Sequence, residues 1–347
     1  MKKKSGAKLF SANIINKFMH RQESSIILAL AVYIIFVSSV NSTFISSGNI
    51  FNIFRSSGFA LISITGMTLV LITAGLDLSV GSVLALGGVV SGMVAQAGLP
   101  IPLALLSGVA VGSAIGCING LIIVGLRIPP LIVTLGMQYA ARGLVSVITK
   151  GVPVYPLPKS FTAMEQVKLF GIIPTVVVVA LSIAVIFHII LGHTPFGRSV
   201  YALGGNEEAA LISGINTRKT KFNVYVITSS LAGLAGVFMA ARLGSGEAAA
   251  GTGYELTVIC GSIIGGTSVL GGTGTILGAV LGGLFMEILT NSLTLMHISV
   301  YWQQLVVGTI LILAVMLDQY KRDLMLKHSI RGNTQTEKAQ KKLTYES

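Results

Sequence analysis

Five polar side chains stand in or between long apolar runs. Glu287 and Asn291 lie four residues apart in one run, and Gln138 and Arg142 lie four apart in another. On a helix each pair falls on one face. Asp77 belongs to GLDLSVGS, residues 75–82, a polar turn between two further runs that also holds Gly75, Ser79 and Gly81. Charged groups at membrane depth are costly and mark solute pathways, proton relays or buried pairs. A polar lining for a hydroxylated solute needs such groups, and interhelical hydrogen bonds or an Arg-Glu pair need the same ones. For Asp77 two roles compete. It can cap the next helix through that helix's free N–H groups, with Ser79 a second candidate, or carry a proton together with Glu287 in a secondary transporter.

Catalytic constellations are missing from the sequence. No GxxxxGK[ST] loop occurs, because GGTGTILGAVLGG has the glycines but no lysine to reach a phosphate. HExxH and GxSxG are absent, and the histidines (His20, His188, His193, His297, His328) share no helix face. Cys117 and Cys260 each lie in an apolar stretch without a second Cys or His at metal-ligand spacing. A membrane-embedded enzyme is therefore disfavoured, and the chain is expected to bind no metal or cofactor.

The elements that position these groups are spans. With 52% hydrophobic and only 10% charged residues, the chain has too little polar surface to coat a globule in water, so its solvent is lipid. A crossing needs about 20 apolar residues. By that ruler the spans are 24–44, 58–74, 80–97, 101–124, 130–149, 172–191, 222–241, 256–270, 276–295 and 300–317. Two of them invite a break: 130–149 carries Gln138 and Arg142, and 256–270 is short and glycine-rich. The first run exceeds the 7–15 residues of a signal-peptide core, which favours an uncleaved span. Gly108, Gly112, Gly116 and Gly120 recur every four residues in the fourth span, drawing a bare stripe that lets another helix approach closely. Gly261 with Gly265 and Gly278 with Gly282 repeat that spacing later.

The net charge of +12 gathers at the ends, from Lys2 to Arg21 and from Lys321 to Lys342. Basic clusters flanking spans mark the cytoplasmic side and anionic lipid. No basic patch is interleaved with stacking aromatics, so nucleic acid is excluded as a partner. The resulting organisation is a cytoplasmic basic lead (1–23), one transmembrane domain (24–317) and a cytoplasmic basic tail (318–347). Arg198, Arg218, Lys219 and Lys221 place the loop 193–221 inside as well, after six crossings and before four. Lys150, Lys159 and Lys168 put the loop 150–171 at odds with the rule, since parity places it outside.

That cytoplasmic loop contains GGNEEAALISGI. Asn206 reads as an N-cap, Glu207 and Glu208 suit the positive end of a helix dipole, and Gly214 reads as a stop. Ala209, Ala210 and Ile215 leave a small, partly apolar surface suited to a partner's groove. EAALISG, from Glu208 to Gly214, resembles the EAAxxxG loop by which importer permeases dock on their ATPase subunits. With GLDLSVGS, YALGGNEEAA (201–210), AGTGYEL (250–256) and GGTSVLGG (265–272), the chain is similar to permeases of ribose-type ABC sugar importers from about Phe51 to Leu317. The resemblance implies an all-α polytopic fold of about ten transmembrane helices, like the vitamin-importer type. It implies a bacterial inner-membrane subunit working as a pair with a second permease. ABC ATPase subunits would carry ATP and Mg on the cytoplasmic side, with 206–215 as the coupling helix. A periplasmic or extracellular sugar-binding protein would meet the loop 150–171. The cargo expected is a pentose, a hexose or a related sugar such as autoinducer-2.

Overall fold

The computed structural model describes residues 22–169, 171 and 173–320, so the basic lead and nearly all of the basic tail lie outside the described residues. The helices are α1 (Gln22–Val40), α2 (Ser47–Ile72), α3 (Val80–Gln96), α4 (Ile101–Gly125), α5 (Pro130–Thr149) and α6 (Lys159–Gln166), then α7 (Thr175–His193), α8 (Pro195–Gly205), α9 (Glu207–Ile212), α10 (Thr217–Leu243), α11 (Tyr254–Ile264) and α12 (Ile276–Leu295). The last is α13 (Val300–Tyr320). Between α6 and α7 two short strands, β1 (Lys168–Leu169) and β2 (Ile173–Pro174), pair antiparallel. Helix starts follow local chemistry: side chains of Ser46, Thr194, Asn206, Asn216 and Thr275 each accept a first-turn N–H.

Among the described residues, seven helices are long and apolar enough to cross a bilayer, and three shorter apolar helices accompany them. Together they coincide with the spans read from the sequence, in the all-α polytopic fold expected. Segment 130–149 is one unbroken helix. The segment 256–270 is corrected: its helix, α11, has 11 residues and stops at Ile264, giving about 16 Å of rise against the ~30 Å of a hydrocarbon core. Gly265 and Gly266 end it, Gly266 with φ +93°, and residues 265–275 turn back irregularly into α12. The segment between α5 and α7 is likewise structured, holding α6 and the paired strands β1 and β2.

Helix α10 is the axis, packed against α4, α3 and α2. The stripe Gly108, Gly112, Gly116 and Gly120 lies along it, facing Val237, Ser229, Tyr225 and Phe222 in turn. Gly87 and Gly88 of α3 meet the Gly233 and Gly236 backbone in the same way. The later pairs find each other, since Gly265 rests on Gly278 and Gly282 on Gly261, joining α11 to α12. Side chains as large as a methyl would force these backbones apart, so the glycines set the spacing.

Helix α10 has 27 residues, about 40 Å long, and its ends define those of the molecule. Near its first turn Lys221 Nζ meets Glu207 Oε2 of α9 at 2.6 Å. Near its last turns Val237, Ala240 and Ala241 cluster with Phe161 of α6, which is fully buried. Helix α6 is also tied to α2 by a forked pair, Arg55 Nε donating to Glu165 Oε1 at 2.6 Å and Arg55 Nη2 meeting Oε2. Glu165 is 1% exposed. Lys168 Nζ lies 4.2 Å above the Phe51 ring and the Arg55 guanidinium 5.6 Å from it, which adds cation–π contacts to the clasp.

Two stability tests come from this packing. A methyl on Gly112 would overlap the Ser229 carbonyl, whereas one on Gly125, at the end of the same helix, meets nothing within 4 Å. Gly112→Ala should lower the thermal midpoint in detergent by an amount matching about 1–3 kcal/mol of overpacking, while Gly125→Ala should not lower it. Arg55→Met strands the Glu165 carboxylate, so it should destabilise the protein by about 3–5 kcal/mol, with Arg55→Met/Glu165→Gln recovering part of the loss. A midpoint for Arg55→Met equal to that of the unaltered protein would show that the clasp carries no stability.

Candidate functional site

The candidates from the loop 193–221 form a capped helix at one end of α10. Asn206 Oδ1 accepts the Ala209 N–H at 2.9 Å, and Glu207 and Glu208 occupy the first turn. The helix ends at Ile212 rather than Ile215. Gly214 then takes φ +82°, which suits glycine, and lets Ile215 N donate to Ala210 O at 3.0 Å. The exposed apolar face differs from the one expected. Ala210 is 4% exposed and turned inward, and Ile215 is half-buried. Leu211 and Ile212 project instead, 61% and 88% exposed. Between α9 and the α4–α5 turn runs an open groove of about 830 Å³, lined by Arg127, Ile128, Pro129, Glu208, Leu211 and Ile215 among others.

The four polar residues of α5 and α12 divide into two separate arrangements. Gln138 Nε2 donates to Glu255 Oε1 at 2.8 Å, and Arg142 Nη1 donates to the carbonyls of Ala248 and Ala250. These contacts fasten α5 to the start of α11 and to the segment before it. Asn291 exchanges amide hydrogen bonds with Asn49 at 2.9 and 3.0 Å, fastening α12 to α2. Glu287, half-buried one turn away, has Ser56 and Arg242, rather than Arg142, as the polar and basic groups that act on it. The Arg242 guanidinium lies 5.7 Å from the Phe59 ring centroid, and its Nη1 has no hydrogen-bond partner among the described residues.

The GLDLSVGS turn is a junction. Asp77 is fully buried. Its Oδ1 accepts from Ser79 N at 2.9 Å and from Ser79 Oγ, and Asn119 Nδ2 of α4 reaches the same Ser79 Oγ at 3.1 Å. Asp77 therefore holds the N-cap residue, Ser79, rather than the first-turn N–H groups of α3, and Ser79 makes no side-chain cap bond of its own. Gly75 abuts the Tyr225 hydroxyl, and Gly81 abuts Gly251 and the Glu255 carboxylate. Glu255, 6% exposed, is a site residue that the sequence reading passed over. A carboxylate one residue into a short apolar run, within AGTGYEL, was the available signal. Oxygens Asp77 Oδ2 and Glu255 Oε2 have no hydrogen-bond partner among the described residues.

A family described as the permease component of branched-chain amino acid transport systems matches residues 49–315. The ribose import permease protein RbsC of Escherichia coli K12 is 40% identical over 308 residues, 86% of this chain and 94% of its own length. The D-allose transport system permease protein AlsC of the same strain is 40% identical over 250 residues, covering 72% of this chain and 76% of its own. The autoinducer 2 import system permease protein LsrC of Enterobacter sp. strain 638 is 32% identical over 314 residues, 89% and 90% of the two chains. No solved structure matches. The match over residues 49–315, with the capped α9 and the glycine turns in place, means that this chain belongs to that family of ABC-transporter permease components.

Proposed function

We propose that this permease conducts a sugar across the bacterial inner membrane, by alternating access driven by a separate ATPase that docks on α9. The observation that carries the sugar class is the 40% identity to a ribose import permease over 86% of the chain. Allose and L-arabinose permeases stand at 40% and 36%, whereas the family description names amino acids. Individual relatives report substrate at finer grain than a family description does, so the sugars prevail. Which sugar is carried is left to the external binding protein, which meets the outer loop around α6.

Docking is supported by the form of α9. Two apolar side chains, Leu211 and Ile212, are held out on a helix fixed at both ends, by Asn206 and by the turn at Gly214. Exposed apolar anchors on a rigid element are what a partner's groove recognises. The groove beside α9 extends the surface offered to that partner. ATP and Mg are bound by the ATPase, two permease copies or a related pair complete the pathway, and both termini face the cytoplasm with α9. In this reading α13 and the outer faces of α5 and α7, all rich in exposed apolar side chains, face lipid or the second permease.

Glu208→Lys, or Gly214→Val at a φ that valine resists, should reduce co-purification of the ATPase by about tenfold or more without reducing membrane insertion. Vesicles holding permease and ATPase should take up labelled ribose, allose or arabinose only with binding protein outside and ATP inside. Accumulation driven by a proton gradient without any ATPase would overturn the reading.

A further inference from the structure

The way out of α9 runs through α8. The two helices share one residue: Asn206 closes α8, its N–H donating to Ala202 O at 3.1 Å, and opens α9 through its Oδ1. No slack lies between them, so a displacement of α9 turns α8. Helix α8 in turn rests on two parts of the bundle at once. Gly204 lies so close to the end of α2 that a Cβ there would overlap the Ile72 carbonyl, and that Cβ would sit 2.6 Å from Gly272 N. Three residues earlier, on the same face, the Tyr201 hydroxyl donates to Gly274 O at 2.8 Å.

The far side of this contact is the irregular turn between α11 and α12. Gly272 N donates to Ile72 O at 2.9 Å, so the turn and the end of α2 are already joined to each other. Gly271, at φ +84°, rests on Ala74 and on the Gly204 carbonyl. The turn is held in shape from within by Ser268 N donating to Thr273 O at 3.1 Å. It is held from outside by Asp318 of α13, whose Oδ2 accepts from Ser268 Oγ at 2.8 Å and Val269 N at 3.3 Å. A braced turn transmits displacement, whereas a loose one absorbs it.

From this point two arms diverge. The end of α2 leads within five residues to Asp77, and the turn leads back through the 11 residues of α11 to Glu255. Those are the buried carboxylates that each keep an oxygen without a hydrogen-bond partner among the described residues. The arms meet again where Gly81 abuts Glu255.

We infer that Gly204 and Tyr201 form a joint that passes movement of α9 to the Asp77 turn and to α11 together, Gly204 by direct backbone contact and Tyr201 by its hydrogen bond to Gly274. They are positioning residues: neither belongs to the exposed face that binds the ATPase, and neither reaches the Asp77 or Glu255 carboxylates. The inference rests on the docking reading, but the two fail differently. Docking fails in the binding of the ATPase, and the joint fails in the ratio of sugar moved to ATP hydrolysed.

An internal control exists one residue along. A methyl on Gly205 meets nothing within 4 Å. Permease, ATPase and binding protein are reconstituted in vesicles with Gly204→Ala, Gly205→Ala, Tyr201→Phe or Glu208→Lys, and ATPase retention, ATP hydrolysis and ribose uptake are measured on each. Gly204→Ala should keep its ATPase and its hydrolysis while uptake per ATP falls about tenfold, within the usual range of coupling between sites. Tyr201→Phe should lose about fivefold, the equivalent of one neutral hydrogen bond, and Gly205→Ala nothing. Normal uptake per ATP in Gly204→Ala, or an equal loss in Gly205→Ala, would overturn the joint. Release of the ATPase by Gly204→Ala would overturn it too, by making α8 part of the docking platform. Should Gly204→Ala fail to insert, Tyr201→Phe decides alone, and an unchanged ratio there rejects the joint. ATPase retained by Glu208→Lys would instead count against docking on α9.

Discussion

Contact of backbone with backbone along α10 is the constraint from which the rest of the bundle follows. In lipid no hydrophobic force drives one apolar helix onto another, so association depends on close dispersion contact and on polar groups that find partners. Here the α3 and α4 glycines bring whole helix faces onto the Ser229, Gly233 and Gly236 backbone. Thr228 Oγ1 adds a hydrogen bond to Gly66 O of α2 at 2.9 Å. The result is one interlocked unit of α2, α3, α4 and α10. A second unit, α11 with α12, is built by the same device from Gly261, Gly265, Gly278 and Gly282. Interlocked units of this kind shift as bodies because side-chain rearrangement cannot loosen a contact that has no side chains in it. The two units meet along α2, which packs on both α11 and α12 and is tied to α12 by the Asn49–Asn291 pair.

The sequence shows the units much better than the contacts between them. Spans are legible because hydropathy integrates over some 20 residues and tolerates errors at single positions. The same averaging extended 256–270 beyond the end of α11, since Val269 and Leu270 are apolar whether or not the backbone around Gly266 is helical. The ends of α9 are legible too, because the Asn206 cap and the Gly214 stop are local chemistry. Its exposed face is not. Six residues hold fewer than two turns, so no periodicity separates Ala210, which turns inward, from Leu211, which does not. Partners far apart in the chain were beyond reach for a different reason. Nothing near Asn291 names Asn49, and nothing near Gly204 names Ile72, because each contact depends on the closed bundle.

The buried carboxylates show how differently the fold treats one functional group. Glu165 receives two donors from a single guanidinium and is closed off by α6, an arrangement in which both oxygens are answered. Asp77 concentrates both of its donors, Ser79 N and Ser79 Oγ, on one oxygen. Glu255 receives the Gln138 amide on Oε1 only. A carboxylate with every oxygen occupied resists change because moving it strands a charge. One with a free oxygen can exchange partners at smaller cost, since a new donor is gained as an old one is lost.

That contrast gives the two ends of the bundle different mechanical characters. At the α6 end, Arg55 with Glu165, the cation–π contacts of Phe51 and the paired hydrogen bonds between Val154 and Gly246 bind loop to helix with directed polar bonds. At the α9 end, α8 is seated by the Gly204 backbone contacts, by the Tyr201 hydroxyl donating to Gly274 O and by the buried Val200 and Leu203, with Lys221 paired to Glu207 beside it. Bare backbone and apolar contacts fix the spacing of the parts they join with fewer directed bonds than a forked ion pair. Asp77 lies in the segment next to that seat, and α11 leads from the turn to Glu255, so both carboxylates with a spare oxygen are joined to α8 through continuous helix and turn.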